Sequence, residues 1–548
     1  MKRTIIGIAG TVLLIGLFSF TWLGGDNSFE ISRNLNIFTT LYRELNTHYV
    51  DELSSDKVIG DGIEAMLRSL DPYAAYISEN QIEEYRTSTT GEYGGIGAIV
   101  GKRNKLNTVI MPYVGYPAHK AGLLIGDAIL EIDGNDLADK SSTEISELLK
   151  GQPGSNIILK IKRYGNDNPF DVTLTRSKIT INNVMYYGMY NETTGFIKLS
   201  DFTTNAGSEV KNALDSLKRV GATKIILDLR DNPGGLLGEA VNVANVFIGQ
   251  GKEVVSTKGK MSSWNKTYST PYATSDGDIP LAVLTSRATA SAAEIVSGVV
   301  QDYDRGVLVG ARTFGKGLVQ ATRPLPYNAQ LKITTAKYYI PSGRCIQAID
   351  YSNKNEDGSV GKIPDSLKVA FKTSKGRVVY DGGGIEPDIN VEPKTISNLL
   401  YNMVSQNLIF DYATAYAFLN KEISAPREFE LSDEEYLEFV NWVDDKEFNL
   451  SSQMDEAITA LEEMAKKEKY YEGMEATIEN LKIKVEALKK DYMMTFKADI
   501  KYMLEEEIVS RYYFHHGMME SSLDHDPTVL EAANILNDSE AYSKILNK

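Results

Sequence analysis

Apolar residues recur every three or four positions from Phe29 to Val50 and again from Val58 to Leu70. Residues 29–88 therefore read as a helical N-terminal region, broken by Asp71-Pro72. From Gly91 the pattern shortens to β-branched runs between turn residues. These are Ala98–Val100, Thr108–Met111, the segment Gly126–Gly134 and Ile157–Arg163, with one helical stretch at Ser142–Leu149. Between residues 178 and 395 buried-strand runs alternate with helical ones. Helical Ala206–Val220 leads into Lys224–Arg230, and helical Leu236–Phe247 follows; strand Leu281–Thr285, helix Ala292–Tyr303 and strand Gly306–Val309 come next. Such alternation needs crossover connections and predicts an α/β fold with a mostly parallel sheet. Beyond residue 395 the strand signal fades. Residues 396–548 read as a helical module, with long amphipathic patterns rich in Glu, Lys, Leu, Met and Tyr over 430–548.

The order of elements over residues 89–177 resembles a PDZ domain, as does Pro117-Ala118-x-x-Ala121-Gly122-Leu123 ahead of Gly126-Asp127. A glycine-rich turn before an exposed strand, here Gly94-Gly95-Ile96-Gly97, offers free N–H groups to a terminal carboxylate. The strand edge then accepts a peptide by β-addition. The plainer alternative is a glycine turn that only reverses the chain.

At the N-terminus, Lys2 and Arg3 precede nineteen uncharged positions, Ile5–Leu23. A helix of that length spans about 28 Å, close to the ~30 Å hydrocarbon core of a bilayer. Residues 1–25 are therefore expected to form an inner-membrane anchor, with everything after them exported, in the periplasm or its equivalent. A cleaved signal peptide is the alternative; no A-x-A-like site stands near residues 19–25.

The 548 residues suit several domains, and 42% hydrophobic with 24% charged residues is ordinary for folded protein. The formal net charge of −16 argues against gripping a nucleic-acid backbone. That charge is unevenly placed. Residues 421–548 hold 30 acidic and 15 basic residues, whereas the remaining 420 hold 44 and 43. An acidic tail of this kind either faces solvent or serves assembly, and homo-oligomerisation or adaptor docking through the C-terminal helices is the expected alternative. Cys345 is the only cysteine, which excludes an intrachain disulfide and a Cys-based metal knuckle. No metal and no cofactor is expected. The five histidines are His48, His119, His515, His516 and His525. Acid–base chemistry in the α/β region must therefore do without a local imidazole.

Two strand-to-helix turns there suit catalysis. Gly234-Gly235 lets backbone approach a ligand closely, and Ser291 opens a helix whose free N–H groups favour developing negative charge. Ser291-Ala292-Ala293-Glu294 also reads as a capping box, the ordinary role of such a serine. Lys316 shifts the balance. Gly310–Gly317 approaches the phosphate-binding pattern G-x-x-x-x-G-K-[ST], but Gly317 stands where a hydroxyl should hold Mg²⁺, and Leu318–Thr322 reads as strand rather than helix. A lysine between two glycines can instead be drawn into an apolar pocket. Lowering its pKa from ~10.4 to ~7 makes it a general base for a serine nucleophile.

Thr289-Ala290-Ser291-Ala292-Ala293-Glu294-Ile295, Gln301-Asp302-Tyr303 and Thr313-Phe314-Gly315-Lys316-Gly317-Leu318-Val319-Gln320 resemble the signature of the C-terminal processing (tail-specific) serine peptidases. So do Asp228–Gly235, Ala336–Arg344, Gly384-Ile385-x-Pro387-Asp388 and Leu70-Asp71-Pro72-Tyr73. The resemblance covers residues 35–395 and implies a multidomain architecture, with a ClpP/crotonase-like peptidase core over 178–395, the PDZ domain inserted ahead of it, and a C-terminal helical module. It implies Ser291 as nucleophile, Lys316 as general base and Gln320 as the group orienting the lysine. The amides of Ala292 and of Gly234 or Gly235 would form the oxyanion hole. Substrates would be proteins with exposed C-terminal tails, cut near the C-terminus. The rival reading is a non-enzymatic PDZ scaffold on a degenerate peptidase fold.

Overall fold

A computed structural model describes residues 25–354, 359–444, 446 and 453–547. The expected membrane segment falls almost wholly on residues outside that set. Among the described residues no helix is long and apolar enough to cross a membrane.

The chain opens with helices α1 (Gly25–His48) and α2 (Ser55–Arg68). Leu67 of α2 is buried, but Ile31, Leu35, Phe38 and Leu45 of α1 all lie exposed. Pro72 then stops helix formation, and strand β1 (Ala75–Ile77) delivers the chain to the edge of a second sheet.

The PDZ unit is entered and left by a two-stranded ribbon in which Glu92–Gly95 pairs with Ser177–Thr180. Gly94 and Gly95 are thus strand residues, paired with Lys178 and Ser177, and only Ile96-Gly97 form the turn. Gly97 takes φ 73°, a left-handed conformation that glycine adopts without steric cost. Strand β2 (Ala98–Arg103) and helix α3 (Ser142–Leu149) flank a cavity of 80 Å³ lined by Ile96, Ala98, Val100, Ile145 and Leu149. Among the described residues the Ile96 and Gly97 amides meet no acceptor, which suits them to a carboxylate.

The α/β core is built on six strands: β3 (Val184–Met189), β4 (Thr194–Leu199), β5 (Lys224–Asp228), β6 (Leu281–Thr285), β7 (Val307–Gly310) and β10 (Ile389–Asn390), in that order across the sheet. Only β3 runs antiparallel; the others are parallel, as the crossovers require. Helices α4 (Ala206–Arg219), α5 (Leu237–Phe247) and α6 (Ala292–Asp302) cover one face. Two strands between β7 and β10, β8 (Leu318–Pro324) and β9 (Gln330–Tyr339), belong to the second sheet, where β9 pairs with β1, β8 and Glu253–Gly259.

The other face of the core sheet is covered by the end of the helical module. Phe196, Ile226, Ala282, Leu284, Val307 and Val309 are buried there against the last two helices, α9 (Pro527–Asn537) and α10 (Ser539–Ile545). Tyr542 places its hydroxyl within 3.1 Å of the Leu281 amide, and Arg230 pairs with Asp526 at 2.7 Å. The end of the helical module therefore forms a layer over the peptidase core. A parallel sheet with apolar residues on both faces needs covering on both sides. Earlier helices of the same module, α7 (Leu408–Leu419) and α8 (Lys497–Ser522), brace the PDZ unit instead. Arg103 donates to Asn407 at 2.7 Å, Tyr164 packs edge-on to Phe418, and His119 meets Phe514 at 5.1 Å between ring centres.

Candidate active site

Both turns singled out in the sequence lie at C-terminal ends of adjacent parallel strands, β5 and β6, the edge at which open α/β sheets carry ligands. They are stitched together. The Ala290 amide donates to the Asn232 carbonyl at 2.9 Å, and the Thr289 hydroxyl donates to the Leu229 carbonyl at 2.8 Å. Asn232, fully buried, donates through its side-chain amide to Leu199 and accepts from the Gly234 amide at 2.8 Å.

Ser291 stands between β6 and α6 with φ 55° and ψ −116°. That is a costly conformation for a residue with a Cβ. It is the feature that separates this serine from an ordinary helix cap, because a tight strand-to-helix turn is what pushes a hydroxyl out of the protein surface. Gly234, φ 96°, packs against it: a Cβ there would lie 2.7 Å from Ser291 Cβ and 2.8 Å from the Ala292 nitrogen. Among the described residues the amides of Ala292 and Gly235 meet no acceptor, while that of Gly234 is committed to Asn232.

Glu294 does more than cap. It is completely buried. One oxygen accepts from the Ser291 and Lys316 amides, each at 2.9 Å. The other accepts from the Gly315 amide at 2.7 Å and the Thr313 hydroxyl at 2.5 Å. Burial drives its pKa above the ordinary carboxylate range, and the donors offset only part of that rise. With four donors on two oxygens no lone pair is left for a proton, so the group is held as a carboxylate. The backbones of Ser291 and Lys316 thereby lie within two hydrogen-bond lengths of each other. Tyr338 adds a second tie, its hydroxyl lying 2.6 Å from the Lys316 carbonyl and 3.2 Å from that of Ser291.

Lys316 is half-buried, and burial with the nearby Lys332 charge holds its pKa below the ordinary lysine value against Glu294 and Asp71. Its Nζ sits 4.5 Å from the ring centre of Tyr73. No hydrogen bond joins it to Ser291 Oγ. Gln320, on β8, donates to Thr334 at 3.1 Å and not to the lysine. Leu318–Thr322 is strand, which removes the helix a phosphate-binding loop would need.

The remaining motif blocks gather behind the lysine loop. Arg344 donates to Gln301 at 2.7 Å and to Asp302 at 3.0 Å, Gln301 donates to the Glu386 carbonyl, and Arg377 pairs with both Asp304 and Asp388. This network holds the Ile385 amide on Thr313 at 2.7 Å, and so supports the hydroxyl that Glu294 accepts. Tyr73, Asn232, Thr313 and Tyr338 were not marked individually in the sequence. Only their positions inside the quoted blocks signalled them.

A strained serine at the head of a buried helix, unpaired amides beside it and a depressed lysine on the adjoining loop define a serine peptidase core with a PDZ domain. Comparison with known proteins agrees. Residues 193–353 match the model of Peptidase family S41, residues 110–163 a PDZ domain, and residues 399–536 the probable PDZ-protease C-terminal helical domain. A carboxy-terminal-processing protease of Bartonella bacilliformis is 35% identical over 354 residues, covering 64% of this chain and 81% of that one. A probable CtpA-like serine protease of Staphylococcus aureus is 33% identical over 345 residues, covering 63% and 68%. The solved structure of a photosystem II D1 C-terminal processing protease is 27% identical and covers 66% of this chain and 93% of its own, at a TM-score of 0.35. The chain belongs to the S41 family of carboxy-terminal-processing serine peptidases.

Proposed function

We propose that this protein is an exported endopeptidase that captures protein C-termini in its PDZ groove and cleaves near them through a Ser291–Lys316 dyad. The observation that carries the reading is the single buried carboxylate of Glu294, which accepts from the amides of both residues. Such a clamp fixes the backbones that carry the nucleophile and its base relative to each other. Ser291 Oγ attacks the peptide carbonyl, Lys316 takes its proton and passes it to the leaving amine, and water then releases the acyl group. The negative oxygen of the tetrahedral intermediate is met by the Ala292 amide and, of the two glycines, by Gly235, whose amide is free while that of Gly234 is taken. Export rests on Lys2-Arg3 and the apolar run that follows, and would place the catalytic unit in the periplasm or an equivalent space, anchored in the inner membrane.

Mass spectrometry of products from an unstructured protein, with Ser291→Ala as control, tests this. Fragments shortened from the C-terminal side first, and none from the control, are expected. Equal cleavage by Ser291→Ala rejects the nucleophile, and cuts scattered from the outset reject tail capture.

Self-association is assigned to α1 rather than to α9 and α10, which are packed against the core sheet, or to α7 and α8, which meet the PDZ unit. Ile31, Leu35, Phe38, Tyr42 and Leu45 follow a four-three spacing along one side, with Glu30, Arg33, Arg43 and Glu44 elsewhere on the helix. A second copy would meet that seam with no like charge across it. Sedimentation should show a dimer that becomes monomeric in Leu35→Glu; an unchanged sedimentation coefficient overturns the assignment.

A further inference from the structure

Lys316 is the one member of the dyad that the structure places away from its partner. Its amino group rests on the face of Tyr73 at 4.5 Å, with no hydrogen bond to Ser291 Oγ, and Gln320 is turned to Thr334. Tyr73 is itself fixed from three sides. Asp71 Oδ1 accepts from the amides of Tyr73 at 2.8 Å and Ala74 at 3.0 Å, an Asx turn that sets the ring's direction. Residues 75–77 then pair with β9, opposite Lys332, Leu331 and Gln330. The Tyr73 hydroxyl lies 3.3 Å from that of Tyr351, and the two rings meet edge-on at 5.8 Å.

An aromatic face attracts an ammonium through its quadrupole but has little hold on a neutral amine. The Tyr73 ring therefore favours the form of Lys316 that cannot act as a base. The charged groups facing this lysine are Lys332 on β9, which with burial favours the neutral form, and Glu294 on α6 and Asp71 ahead of β1, which favour the charged one. Burial also pushes the Tyr73 phenol up, so it stays protonated and cannot form an ion pair with the lysine.

We propose that Tyr73 is a positioning residue whose ring is the resting dock of protonated Lys316, so that the base forms only when the amino group leaves the ring, releases its proton to solvent and reaches Ser291 Oγ. The proposal rests on the dyad reading given above and adds a regulated step to it. The Leu70-Asp71-Pro72-Tyr73 block, which the catalytic chemistry leaves without a task, gains one: a rigid turn that presents an aromatic face to the base.

The test is the pH profile of kcat/KM on a short peptide, for full-length protein carrying phenylalanine and its mono-, di- and trifluorinated analogues at position 73. Fluorine drains the ring face while keeping its shape, so the fold is retained, which near-ultraviolet circular dichroism checks. The acid limb should fall stepwise with fluorine count, by about one pH unit across the series. Tyr73→Phe alone should leave the limb within about 0.3 unit of the parent, because the ring face is kept. A limb that does not move with fluorination overturns the dock. Lys316→Met separates this from failure of the dyad itself. If that variant is inactive at every pH while the series is flat, only the dock fails; if it stays active with the parent's limb, Lys316 is not the base.

Discussion

Removal of residues 523–548 is expected to abolish the folded peptidase, although Ser291 and Lys316 lie more than 200 positions upstream in the sequence. The apolar side chains of Leu523, Val529, Ala532, Ile535, Leu536 and Leu546 are all buried against the core sheet. Each large one contributes about 1.5–3 kcal/mol when fully buried. Together they approach the whole net stability of a typical domain, about 5–15 kcal/mol. The deletion also bares Phe196, Ile226, Leu284 and Val309, a contiguous apolar face on parallel strands. Insolubility or loss of near-ultraviolet circular dichroism is the expected reading. Leu536→Ala is the graded version. It should keep the fold and activity but lose about 2–5 kcal/mol, seen as an earlier urea midpoint. A soluble, active chain ending at Ser522 would show that the helical layer is not part of the core.

Lys316→Arg is expected to leave the structure intact and remove activity by about 10²–10⁴-fold, the usual contribution of a positioned base. Arginine preserves the positive charge and stacks on aromatic faces as well as lysine does, so the contact with Tyr73 persists. The Glu294 clamp persists too, because it holds the backbone amide at position 316 and not the side chain. What is lost is the ability to become neutral. Burial and Lys332 lower the lysine's pKa, so the parent's activity should rise with pH as that group loses its proton. A guanidinium stays charged throughout that range and should show no such limb. Turnover near the parent's level in Lys316→Arg would remove lysine from the mechanism.

These two predictions draw on different kinds of information. Ser291, Lys316 and the Gly234-Gly235 turn could be singled out because turns at strand ends carry short, local motifs. The alternation of strands and helices over 178–395 was legible for the same reason, since periodicity is a local property. The PDZ order of elements also held, except that Gly94 and Gly95 proved to be strand residues. Pairing with Lys178 and Ser177 decides that, and those partners lie more than 80 residues away in sequence. Gln320 carries the right motif position yet faces Thr334, because its side-chain direction follows the register of β8 against β9.

By itself, then, the sequence determined the two chemical turns, the class of fold and the uneven charge between core and tail, all of which are written in neighbouring residues. Only the tertiary structure decided that the acidic tail ends as a layer over the core sheet, that Glu294 accepts from the amides of both Ser291 and Lys316, and that Tyr73 lies beneath Lys316. Each depends on contacts between residues far apart in the chain. Which apolar face covers which sheet, and which buried carboxylate meets which amide, is settled by packing and by the need to satisfy every buried polar group. Neither leaves a periodic trace in the sequence.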